Sequence, residues 1–324
     1  MLKKILLCIG ILSICLTGYA EKNNQPKIIP HYNMQQYDQQ LQKLYQTDLT
    51  FNQKNIIHRI EITSHYFLGE PYQLEALGEG PNGEFDKHPL YRTDAFDCMT
   101  YVSTVLALAE SKDLKEFQHT ILKVQYRNAV PLFVNRNHVT SVDWNPVNQR
   151  NHFIYDMNDK LGVPTQTAVA IIDKPNWYRK LSFNRLVLFH LPSLNEQQRL
   201  LEKLHQQGDK VKVVTSRLDY IALNELFKKR NGKLFANQKV FSHIPSGTIV
   251  EIVRANWNLK KMIGTNLNVA HMGFAIRTKK GLMFREASSE HSLVIDVPLA
   301  KYLVRYYRYF HGSSKVGIHL EAVM

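Results

Sequence analysis

Beyond Ser242 the chain breaks into short apolar runs separated by turn residues, and this change of rhythm limits its fold more than any other feature. "GTIVEIVRA", "NVAHMGFAIRT", "GLMFREASS", "HSLVIDV" and "VGIHLEAV" have the length of strands. Their β-branched and aromatic residues suit a pleated surface with turns between. One helical stretch, "LAKYLVRYYRYF", interrupts them. Upstream the spacing is helical: Leu41, Leu44 and Tyr45, then Ile56, Ile57 and Ile60, predict two amphipathic helices between Met34 and about His65. Met99, Val102, Val105, Leu106 and Ala109 predict another, with Asp94 or Asp97 as its cap. "LKEFQHTILKVQYRN" continues as a helix. Between about 150 and 215 the signals mix, with "NRLVLFHLP" reading as a strand and "LNEQQRLLEKLHQQ" as a capped helix. Helices first and an antiparallel sheet after them make an α+β layout.

The first residues, "MLKKILLCIGILSICLTGYA", set Lys3 and Lys4 before an apolar run and end on a small-residue Gly18-x-Ala20, the pattern of a cleaved secretory signal. Residues 1–20 are therefore expected to leave near Ala20, giving a periplasmic or secreted protein. A lipid anchor on Cys15 is the alternative, with bulky Ile14 before the cysteine against it. Residues 21–33 are polar and proline-broken, a flexible lead-in, and 34–93 form a helical segment followed by loop. Loss of Lys3 and Lys4 lowers the formal charge from +13 to about +11, a surplus that suits anionic partners such as a membrane face or wall material. No nucleic-acid motif is present, and export argues against such a ligand.

With Cys8 and Cys15 gone, Cys98 is the last of three cysteines. A thiol without a partner in an oxidising compartment is either buried and inert or reactive. At a helix start the unpaired N–H groups and the dipole favour thiolate. Such a nucleophile needs a base held by a third polar group. Of fourteen histidines, His271 in "NVAHMGFAIRT" is the best candidate, because it sits in an apolar strand; on alternation alone it reads as a satisfied core histidine. "FVNRNHVTSVDWNPVN" is too polar and irregular for a core element, so Arg136, His138, Asp143 and Trp144 read as the wall of a site or a folded loop, with Trp144 open to a core role. HExxH and CxxC are absent, and no metal or cofactor is expected. The GxGxxG at Gly78, Gly80 and Gly83 has Pro81 in its middle and no strand before it, and reads as turns.

"FDCMTYVSTVLALAE", "RNHVTSVDWNPVN", "IPSGTIVEIVR" and "AHMGFAIRTKKGLMFREASS" resemble, in that order, blocks of the N-acetylmuramoyl-L-alanine amidase-like family of bacterial cell-wall cysteine amidases, in the NlpC-type branch of papain-like enzymes. "FLGEPY", Phe67 to Tyr72, resembles a further block. The likeness spans about residues 65 to 320. It implies a papain-like NlpC-type core over 94–324, a cysteine-bearing helix packed on an antiparallel sheet, with a large insertion at about 113–240 that builds walls around the cleft.

The resemblance also implies hydrolysis of an amide bond in peptidoglycan fragments (muropeptides), Cys98 attacking and His271 moving the proton. Where the family carries a histidine in a His-Ala-Ser, this chain has Glu286, whose carboxylate can accept from the ring and serve as orienter. Arg285 beside it is a competitor for that carboxylate. Arg136, His138, Asp143 and Trp144 would line the cleft, and Tyr72 and Asp97 would contact the stem peptide. A cell-wall peptide binder with decayed catalytic machinery is the alternative.

Overall fold

The computed structural model describes residues 32–47, 55–182 and 193–324. The leader, Cys15 and the "NRLVLFHLP" stretch lie outside the described residues. In chain order the helices α1 (Met34–Thr47), α2 (Ile56–Tyr66), α3 (Cys98–Glu110) and α4 (Leu114–Gln125) come first. A π-turn, Thr140–Trp144, runs into α5 (Asn145–Arg150). Then follow β1 (Ile154–Asp156), β2 (Gln166–Ile172), α6 (Lys174–Arg179), α7 (Leu194–Gly208), β3 (Val214–Ala222) and the one-turn α8 (Leu223–Leu226). A two-stranded ribbon, β4 (Phe227–Arg230) and β5 (Lys233–Ala236), leads to α9 (Gln238–His243). The remaining elements are β6 (Thr248–Asn258), α10 (Lys260–Ile263), β7 (Asn266–Thr278), β8 (Gly281–Ser288), β9 (Leu293–Pro298), α11 (Leu299–Tyr309) and β10 (Val316–Val323).

The mixed α and β layout rests on one antiparallel sheet in the order β2-β3-β10-β6-β7-β8-β9, with β1 also pairing β10. The strands expected beyond Ser242 supply its centre and one edge. The stretch 113–240 adds more than walls: β1, β2 and β3 extend the same sheet through the β3–β10 and β1–β10 ladders. Strand alternation splits the apolar residues between two faces. Ile249, Met272, Phe274 and Ile276 meet α3, while Val250, Ile252, Phe284 and Ile318 meet Leu299 and Leu303 of α11.

α3 is the pivot of the first face. From Thr100 to Ala109 every residue is buried, and a helix apolar all round must be enclosed. α2, α4, β7 and β8 surround it. Aromatic edges lock it in place, Phe96 against Tyr101 and Tyr101 against Phe274, with ring centroids 5.8 and 6.1 Å apart. Its N-terminus is thereby held against the β7–β8 region.

Candidate active site

Asp97 is the N-cap of α3, and Cys98 is the first helical residue. Asp97 Oδ1 accepts from Thr100 N at 2.8 Å, and Thr100 Oγ1 accepts from Asp97 N at 2.9 Å, a reciprocal capping box. Asp97 Oδ2 accepts from Glu75 N at 3.1 Å. Both carboxylate oxygens thus bind backbone N–H groups, and the buried side chain holds the helix start. Cys98 is half-buried and free of any disulfide. As first residue its N–H has no intrahelical acceptor.

The β7–β8 ladder runs from Thr278–Gly281 to Phe274–Arg285. Past that pair the strands part, and His271 and Glu286 stand in the fork. His271 Nε2 bonds Glu286 Oε2, and the Cys98 thiol lies close enough to the ring to act on its charge. With Nε2 taken, Nδ1 is the nitrogen left for sulfur. The two side chains are only 11% and 3% exposed. Burial pulls the His271 pKa down, but the Glu286 carboxylate, the Cys98 sulfur and hydrogen bonding outweigh it and hold the ring well above its ordinary value. The arrangement favours the protonated imidazole.

Gly273 makes the fork possible. A Cβ there would lie 2.6 Å from the Arg285 carbonyl oxygen and 2.8 Å from the Phe284 ring. Phe284 and Tyr302 of α11 also wall the imidazole, at centroid distances of 5.8 and 6.4 Å. Neither was legible as a site residue, because nothing in "LAKYLVRYYRYF" ties Tyr302 to a histidine 31 positions upstream. Arg285 does not compete for Glu286. It points the other way into a bidentate pair with Asp296, 2.7 and 2.8 Å, and bonds Ser64 Oγ at 2.9 Å.

The remaining sequence candidates separate. Tyr72 is half-buried beside Phe96, bridged to the segment that leads into α3. Trp144 is fully buried in the core, its Nε1 donating to Ser103 Oγ at 2.9 Å. It lines no cleft, because the π-turn rotates the indole inward against α3. Arg136, His138 and Asp143 share a cavity of about 530 Å³ that includes Glu79, Lys174 and Trp177 but neither Cys98 nor His271. Arg136 bonds Asp86 at 3.0 Å, and Asp143 pairs with Lys174. His138 sits between Phe133 and Trp177 and bonds the Phe133 carbonyl; burial and the Arg136 charge push its pKa well below the ordinary value. Glu79 and Asp86 escaped sequence reading because they lie in the glycine turns. Gly78 is needed there, since a Cβ would meet Asp86 Oδ1 at 2.5 Å.

Among the described residues no cluster of His, Cys, Asp and Glu could hold a metal ion, and no helix is long and apolar enough to cross a membrane.

The profile of the N-acetylmuramoyl-L-alanine amidase-like family matches residues 62–307. A solved protein of Legionella pneumophila is 37% identical, with TM-score 0.82 over 90% of this chain and 95% of that one. An N-acetylmuramoyl-L-alanine amidase from Bacteroides uniformis is 20% identical, with TM-score 0.56 over 83% of this chain and 99% of that one. A Bacteroides fragilis protein described as a xylanase is 19% identical, with TM-score 0.51 over 80% and 98%. The latter two likenesses concern the fold alone. No curated protein matches the chain.

Proposed function

The chain belongs to the N-acetylmuramoyl-L-alanine amidase-like family, and from that premise we propose that it is an exported cysteine amidase that hydrolyses an amide bond in peptidoglycan fragments. The bond is either that between the N-acetylmuramoyl lactyl group and L-Ala or one within the stem peptide. The observation that carries the mechanism is His271 bonded to Glu286 with the Cys98 thiol beside its ring.

In this reading the Cys98 thiolate attacks the amide carbonyl carbon. The oxyanion so formed meets the N–H of Cys98 and the positive end of α3. The imidazolium of His271 gives its proton to the departing amine, and the C–N bond breaks to leave a thioester on sulfur. His271, now neutral, takes a proton from water as its oxygen attacks the thioester; the acid leaves, and thiolate and imidazolium return. Glu286 holds the ring and stabilises its charged form. The core is read as papain-like and NlpC-type because the cysteine starts a helix packed on an antiparallel sheet that carries the base. Export rests on the leader pattern ending near Ala20, with the Cys15 anchor as the alternative.

Glu286 was the one feature that pointed to a decayed binder, and its bond to the ring favours the working enzyme. The test is incubation of purified protein and its Cys98→Ala variant with defined muropeptides, products read by mass spectrometry. Cleavage by the first alone is expected, and equal cleavage by both would end the proposal. Sequencing the mature N-terminus separates a free protein from a lipid-anchored one.

A further inference from the structure

The cavity that holds Arg136, His138 and Asp143 contains a buried carboxyl that its only charged partner among the described residues holds at a distance. The Glu79 side chain is 1% exposed, and neither of its oxygens has a hydrogen-bond partner; Arg136 Nη1 stands 3.7 Å away. A buried carboxyl left in this way costs stability unless something completes it. We propose that this cavity binds a carboxylate of the peptide part of the substrate, a reading that rests on the amidase assignment above.

The charge of the lining selects the ligand. Its other acids are already occupied, Glu84 by Lys203 and Asp143 by Lys174. Arg127, Arg150 and Lys210 also face the cavity, and among the described residues none of the three pairs with a carboxylate. Burial raises the Glu79 pKa to about 8 despite the pull of Arg136, so near neutrality the group is largely a neutral acid. A neutral acid beside unpaired cations donates a hydrogen bond through its O–H to an incoming carboxylate and accepts nothing charged positive with equal ease. The aromatic faces that would stack a sugar are largely turned inward, since Phe133 and Trp177 enclose His138. Stem peptides carry several free carboxylates, so a peptide whose scissile amide lay at Cys98 would bring one of them toward this lining.

Calorimetry on the Cys98→Ala protein separates binding from turnover. The probes are a stem tetrapeptide with free carboxyls, the same peptide with every carboxyl amidated, and the disaccharide without peptide. The free acid should bind at least about tenfold more tightly than its amide, and Arg150→Ala with Lys210→Ala should shrink that ratio to about threefold or less. Affinity should also fall from pH 7 to 9 as Glu79 ionises, with Arg136, Asp86, Tyr126 and Tyr178 the charged and titratable groups around it; Glu79→Gln should remove that fall. Equal affinity for acid and amide, no binding of either peptide, or tighter binding of the disaccharide would overturn the proposal. Wild-type hydrolysis without the carboxylate preference sinks the pocket alone, and the preference without hydrolysis sinks the amidase reading alone.

Discussion

His271 and Glu286 are bonded across two strands at the point where those strands stop pairing. The carboxylate is the chief counterweight to burial in keeping the imidazole charged. Glu286→Gln keeps the size and an acceptor oxygen but removes the charge, so burial then pulls the ring pKa down. If the active form pairs thiolate with imidazolium, the alkaline limb of the rate profile moves to lower pH. kcat/KM should fall by about tenfold to a hundredfold at neutral pH, part of the general acid–base contribution. A pH–rate series on a defined muropeptide, or the pH dependence of Cys98 alkylation, checks both; an unmoved alkaline limb would count against Glu286 as the orienting group.

Gly273→Ala tests the fork itself. Because the nearest atom to the new Cβ is a backbone carbonyl of β8, relief requires the strands to move and not merely a side chain. The expected cost is about 1–3 kcal/mol, typical of overpacking. Cys98 alkylation should slow as the His271–Glu286 contact opens. Thermal unfolding with alkylation kinetics measures the two effects together, and wild-type values for both would show that the close approach is unimportant.

The readable and unreadable parts of this chain differ in the range of the interactions that decide them. The strands beyond Ser242 and the helices α1 to α4 follow from local spacing, and of the two aspartates that spacing offered as the cap of α3, Asp94 and Asp97, the second holds the position. The pairing of Cys98 with His271 across 173 positions was reached by matching a nucleophile with its needed base, aided by family likeness. What local pattern could not give was orientation. That Asp97 also anchors Glu75 N, from a distant loop, could not be read from its neighbours in sequence. Trp144 sits in a polar stretch, and only the π-turn sends it into the core. Glu79 was hidden because glycines around it signalled a turn, and a turn gives no hint that its acid is buried.

The Asp97 finding has its own consequence. Asp97→Ala removes acceptors for both Thr100 N and Glu75 N, and should cost about 2 kcal/mol, the upper end for loss of a cap. Asp97→Asn keeps an oxygen for Thr100 and should lose less than half of that. Chemical denaturation of the three proteins gives the order. If the residue instead contacted substrate, KM would rise in Asp97→Asn with stability unchanged, and that result would reverse the structural assignment.

On the sheet face opposite α11, Glu251, His319 and Glu321 are buried together on β6 and β10. His319 bonds the Asp219 carbonyl at 2.6 Å and Glu321 at 2.9 Å. Burial alone would lower its pKa, but the bond to Glu321 and the charge of Glu251 raise it to about 9. Burial raises Glu251 to about 7, with His319 opposing and Glu321 adding to the rise. Both groups therefore hold protons in the fold that they would release when unfolded. The stability each contributes is complete below its unfolded pKa and is lost as pH climbs through about 7 for Glu251 and about 9 for His319. Glu251→Gln mimics the protonated acid at every pH. It should match the wild type in thermal stability near pH 4 and exceed it increasingly from pH 5 to 7, the difference levelling off above about pH 7 at on the order of a few kcal/mol. Melting curves at half-unit steps decide the matter, because a difference that stays constant across the series would mean that Glu251 is ionised throughout.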